Sequence, residues 1–176
     1  MTEKKIDTMN IKTKLLGELH VSISDGLLDD YTLVLGGKEV TFSLFIFDNF
    51  LTDETASATI RFIDNIPSLY EKARAEIKAQ SADSAMIDYF VKDGLDCTDE
   101  DYEEYLLDLL EVDSVKEITK EMFLEALELR GLHICETKND GVICVFDFSL
   151  DEEYTDELLV VAFNDVLEVI YITNES

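Results

Sequence analysis

Alternating apolar and polar positions open the readable part of the chain. Tyr31-Thr32-Leu33-Val34-Leu35, then Gly36-Gly37, then Lys38 to Leu44 is the pattern of two strands joined by a two-residue turn, in which glycine supplies the positive φ that the turn requires. That turn sets Leu33 opposite Val40 and Tyr31 opposite Phe42 on one face, with Thr32 and Thr41 on the other. An earlier strand is predicted around Leu15 to Ile23. Residues 1 to 13, polar with few apolar anchors, are expected to be a flexible tail ahead of a single α+β domain spanning 14 to 176.

The period changes from two to 3.6 after Phe50. Thr52 is an N-cap candidate followed by Asp53 and Glu54, carboxylates placed where the helix end is positive, and Ala56, Ile60 and Ile63 continue at helical spacing. Pro67 disfavours helical geometry at the residue before it and suits the first position of a helix, so a break is predicted there. The restarted helix carries Leu69, Ala73 and Ile77 and runs toward Asp93-Gly94, with Ser81 to Ser84 as a candidate interruption. Thr98 is predicted to head a further helix with Asp99, Glu100 and Asp101 in its first turn. Thr119 heads another that runs through Phe123, Ala126, Leu127 and Arg130 to a stop at Gly131. Leu132 to Thr137, Val142 to Phe148, Leu158 to Phe163 and Val166 to Ile172 return to strand patterns, with turns at Asn139 to Gly141 and Asn164-Asp165. Strands, then helices, then strands predict an α+β fold: an antiparallel sheet with helices packed on one face.

The 176 residues suffice for one core, and 47% apolar and 10% aromatic content is enough to fill it. Charge narrows the function more sharply. Against 14 Lys and Arg stand 40 Asp and Glu, for a net charge of -26. Such a surface repels phosphate backbones and anionic headgroups, which argues against nucleic acid and membrane as partners. The start of the chain has no apolar signal core, no segment has the length of a membrane span, and three cysteines without a CxxC pair argue against a disulfide framework; a cytoplasmic location is expected.

No basic residue lies between Lys92 and Lys116, or after Lys138. Carboxylates without partners repel one another, so salt is expected to stabilise the fold. A solvated, solubilising surface is the plainest explanation of these runs, and a docking face for a basic protein is the functional one. The candidate partner-binding residues are Asp99, Asp101, Tyr102, Glu103, Glu104, Tyr105 and Asp108, because tyrosines among carboxylates add rigid amphipathic contact area.

Calcium loops of the EF-hand type fail at both acidic starts. From Asp99, Glu104 stands where glycine is needed and Leu110 where the last ligand belongs; from Asp147, Glu152 and Leu158 fail likewise. His133, Cys135 and Cys144 are the one group of soft ligands. The hairpin that pairs Ile134 with Phe146 and Leu132 with Phe148 puts Cys144 on the face opposite Cys135, so neither zinc nor a disulfide is expected, and no cofactor is assigned. No GxSxG, HExxH or P-loop occurs. A hydrolase or metal-dependent enzyme using a carboxylate pair in a cleft is the alternative to a binding protein.

The run Leu27-Leu28-Asp29-Asp30-Tyr31-Thr32-Leu33-Val34-Leu35-Gly36-Gly37-Lys38-Glu39-Val40, the strand Thr41 to Phe47 and the helical Leu69-Tyr70-Glu71-Lys72-Ala73-Arg74-Ala75-Glu76-Ile77 resemble a bacterial family catalogued as domain of unknown function two thousand and four. The resemblance covers residues 25 to 172, its later part by element order. It implies bacterial origin, a cytoplasmic location and kinship of style with small acidic proteins, some of which are immunity proteins, with no established activity and no catalytic residues to carry over.

Overall fold

The computed structural model describes residues 8–22, 31–45, 52–96, 99–137, 141–151 and 153–176. Its element order is β1 (Thr8–Thr13), β2 (Gly17–Ser22), β3 (Tyr31–Leu35), β4 (Lys38–Phe45), α1 (Asp53–Gln80), α2 (Ala85–Gly94) and α3 (Glu100–Leu110), then a short 3-10 turn (Val115–Glu117), α4 (Lys120–Ala126), β5 (Glu128–Thr137), β6 (Gly141–Ser149), β7 (Leu158–Phe163) and β8 (Val169–Glu175). This is an α+β fold in the predicted order. A six-stranded sheet runs β3-β4-β5-β6-β7-β8, and every junction is antiparallel except β4–β5, which is parallel. The connection permits the parallel junction: the chain crosses from β4 to β5 through all four helices, and a crossover of that length can deliver the next strand in either sense.

The β3–β4 hairpin has the predicted register, with Tyr31↔Phe42, Thr32↔Thr41 and Leu33↔Val40. Gly36 and Gly37 turn it with φ of 57° and 84°, and Tyr31 stacks on Phe42 at 5.3 Å. The inner face of the sheet continues through Leu44, Leu132, Ile134, Phe146, Phe148, Leu159, Val161 and Phe163, each fully buried. Against it lies α1, whose buried stripe includes Phe62, Ile63, Ile66, Leu69, Ala73 and Ile77. Tyr70 approaches Phe148 at 6.1 Å.

Thr52 caps α1 as predicted, in a reciprocal pair with Thr55. The break at Pro67 does not occur, and one helix runs from Asp53 to Gln80. A proline in mid-helix costs on the order of 3 kcal/mol, chiefly by removing one amide from the ladder. Pro67 itself is exposed, so its ring points away from the core, while the neighbouring Ile63, Ile66 and Leu69 are buried. At about 2 kcal/mol for each side chain, that burial outweighs the lost bond. The interruption at Ser81 to Ser84 is present, with Ser84 capping α2 through the Ile87 amide.

Four further corrections follow, and in the first three a partner distant in sequence holds the end of an element. The helix headed by Thr119 stops at Ala126, and Arg130 and Gly131 belong to β5. Arg74 of α1 donates to the carbonyls of Glu125 (2.9 Å) and Leu127 (2.7 Å), fixing the turn out of α4. The last strand starts at Val169 because Asn164 to Glu168 form a turn: Asn164 Oδ1 accepts from the Val166 and Glu168 amides, and Leu167 takes a positive φ of 65°. Lys72 holds that turn through the Leu167 carbonyl at 2.8 Å. At the other end, Thr8–Thr13 is a strand paired with β2, so the expected tail is ordered from Thr8 onward. Ile11 and Leu19 bury its inner side, and Asp64 of α1 accepts from the Lys14 amide at 2.6 Å. The fourth correction is at the third helix, whose N-cap is Asp99; Thr98 lies outside the described residues.

Candidate functional site

The β5–β6 hairpin decides the fate of the soft ligands. Its register pairs Leu132 with Phe146 and Ile134 with Cys144, two residues from the predicted pairing, because Gly141 (φ 70°) closes the ladder opposite Thr137 instead of sitting in the turn. A two-residue shift keeps every side chain on its face. Phe146 and Phe148 point inward, and Cys135 and Cys144 lie on opposite faces, as expected. Burial, then the Asp147 carboxylate, pushes the Cys135 thiol up to about 11, and full burial raises Cys144 as well. His133 Nε2 meets Asp147 Oδ2 at 2.9 Å. Gly131 makes room for that contact, since a Cβ there would stand 2.6 Å from Asp147 Oδ2 and 2.8 Å from His133 Nε2. Among the described residues no three ligands gather as a metal site.

The acidic candidates assemble around α3. Asp99 caps the helix, its carboxylate accepting from the Asp101 and Tyr102 amides at 2.9 and 3.3 Å. The spacing i, i+3, i+4, i+7 puts Asp101, Glu104, Tyr105 and Asp108 on one helical face. With Leu109 and Tyr154 they line an open hollow of about 570 Å³. Glu103 is exposed but lines neither this hollow nor its neighbour. Tyr102 is buried, and its hydroxyl donates to the Gly94 carbonyl at 2.9 Å. It therefore braces the surface from beneath and ties α3 to the end of α2.

Sequence reasoning missed Tyr154. Its ring stacks on Tyr105 at 4.9 Å and on Tyr102 at 5.5 Å, and Tyr102 and Tyr105 stand 6.2 Å apart, all three planes within 25° of parallel. Each such pair contributes about 0.5–1.5 kcal/mol beyond area burial, enough to fasten the segment after β6 onto α3. On its other side Tyr154 lines a second hollow of about 270 Å³ with Asp93, Asp96, Asp99, Tyr102 and Glu153. Among the described residues no basic side chain lines either hollow. The Tyr154 phenol is raised above its ordinary value by burial, then by Glu153, Asp101, Asp151 and Asp99. Tyr105 is raised by burial and then Asp151, against an opposing pull from Arg130. Both rings therefore stay neutral in a field of carboxylates. A signal for Tyr154 was present: Glu152-Glu153-Tyr154 repeats the Glu103-Glu104-Tyr105 pattern.

No family model, curated protein or solved structure matches this chain. No helix among the described residues is long and apolar enough to cross a membrane.

Proposed function

We propose that this chain is a non-enzymatic cytoplasmic interaction domain that docks a basic protein through the face built by α3 with Glu153, Tyr154 and Thr155. One observation carries the reading: a stacked tyrosine trio sits between two hollows whose charged lining is entirely carboxylate. Such a surface attracts cations at long range and offers them aromatic area on contact. An immunity protein that neutralises a basic toxin is the specific form implied by the family resemblance, which has no matching family model behind it.

The test is capture of partners from the source organism's lysate by the wild-type chain and by Glu104→Lys/Asp108→Lys, followed by association kinetics on what is recovered. A basic partner whose association slows about tenfold or more in the variant, with a weaker salt dependence, supports the proposal. Equal recovery by both chains would reduce the face to a solvated surface.

A further inference from the structure

We infer that the cation this face recognises is the guanidinium of arginine, stacked on Tyr154 between the two hollows, so that the partner presents an arginine-bearing segment. The inference rests on the docking proposal above and adds to it the chemistry of the contact. Among the described residues Tyr154 alone lines both hollows, that of Asp101, Glu104 and Asp108 and that of Asp93, Asp96 and Asp99. Its ring packs on Tyr105 and Tyr102 on one side, while its half-exposed position leaves it bordering the open hollows.

Three near-parallel rings do not make a cage. An aromatic cage closes around a compact ammonium head with planes at steep angles, whereas these planes lie 18°, 24° and 25° apart and form a flat platform. A flat platform suits a flat cation. The guanidinium is planar, is more weakly hydrated than an ammonium group, and has five donors in its own plane. Stacked on a ring, it keeps those donors free at its rim, where carboxylates accept them in pairs. Carboxylates stand on both sides of Tyr154: Glu153 and Asp99 toward the smaller hollow, Asp101 toward the larger. A lysine ammonium would find the same negative potential without the matching plane, so the platform distinguishes two cations that charge alone does not.

The full chain is titrated calorimetrically in 150 mM salt with hexa-arginine and with hexa-lysine, alongside Tyr154→Phe, Tyr154→Leu and the Glu104→Lys/Asp108→Lys variant. Thermal melts establish that each variant is folded. The wild-type chain is expected to bind the arginine peptide about tenfold more tightly than the lysine peptide. Tyr154→Phe should keep that preference and Tyr154→Leu should abolish it, while the charge reversals weaken both peptides. Equal affinity for the two peptides, or a preference that survives Tyr154→Leu, overturns the arginine assignment and leaves acidic docking standing if the reversals still weaken binding. Absence of binding by either peptide overturns both.

Discussion

The surface around α1 and α4 and the surface around α3 are built from the same acidic composition and use it in opposite ways. Along α1, nearly every cation is committed to holding the fold. Arg74 clasps the carbonyls at the end of α4, Lys72 and Arg61 clasp those of the β7–β8 turn, and Lys78 bridges Glu121 and Glu125 at 2.9 and 3.1 Å. Lys120 answers from α4, reaching Ser81 O and Asp88. The hollow between α1 and α4, about 480 Å³, is therefore lined mostly by charges that already have partners, among them Arg74, Lys78, Lys120, Glu121 and Glu125. The hollows beside α3 are lined by carboxylates with no cation among the described residues, although Asp151 next to them meets Arg130 at 3.9 Å. In a chain with 14 basic residues against 40 acidic ones, cations placed at backbone carbonyls stabilise the connections, and the carboxylates left over gather where neutralisation must come from outside.

The contrast predicts a large effect on one side and a small one on the other. Arg74→Met should be the most damaging, since it removes two charge-assisted bonds and leaves the Glu125 and Leu127 carbonyls unmet. A loss of about 2–3 kcal/mol in denaturant unfolding is expected, and a loss below about 0.5 kcal/mol would mean that the clasp does not hold the α4–β5 turn. Gly94→Ala tests where the acidic surface is anchored. Its Cβ would lie 2.4 Å from Phe123 Cζ, at the junction to which Tyr102 is bonded, so about 1–3 kcal/mol should be lost. Unchanged stability would show that α2 and α3 shift freely relative to the core.

Charge reversals on the α3 face should hardly move stability, with Glu104→Lys changing it by less than about 0.5 kcal/mol. A loss above about 1 kcal/mol would place that carboxylate in the architecture and erase the distinction. The smallest expected effect is chemical. With its thiol pushed up to about 11, Cys135 is almost wholly protonated at pH 8 and should react with iodoacetamide far more slowly in the folded chain than in urea. Because the folded value lies above the unfolded one, Cys135 contributes its stability below about pH 9 and loses it as pH rises toward about 11. Labelling as fast as that of the unfolded chain would contradict its burial.

What the sequence made legible was local. The β3–β4 register, the caps at Thr52 and Thr119 and the opposed cysteines depend on turn residues and alternation within a few positions. What it concealed depended on partners far along the chain. Pro67 is carried through by burial against the sheet, Arg130 is a strand residue because Arg74 ends the helix before it, and β1 is ordered by pairing with β2 and packing on α1. The acidic site was legible in its α3 half, where helical spacing groups Asp101, Glu104, Tyr105 and Asp108, and illegible in the Tyr154 half, which arrives from beyond two more strands.

The parallel junction between β4 and β5 also governs the order in which the chain can assemble. Lys38 and Glu128, which pair across it, are 90 residues apart, whereas β5 through β8 form a meander of neighbours that pair as they emerge. Closing the long loop is entropically expensive before the contacts behind it exist. During synthesis the β3–β4 hairpin therefore waits, with one row of β4 amides and carbonyls unsatisfied, until the helices and β5 have left the ribosome. The seam closes only after β5 emerges, and a chain halted within the helices carries an open strand edge that invites misassociation.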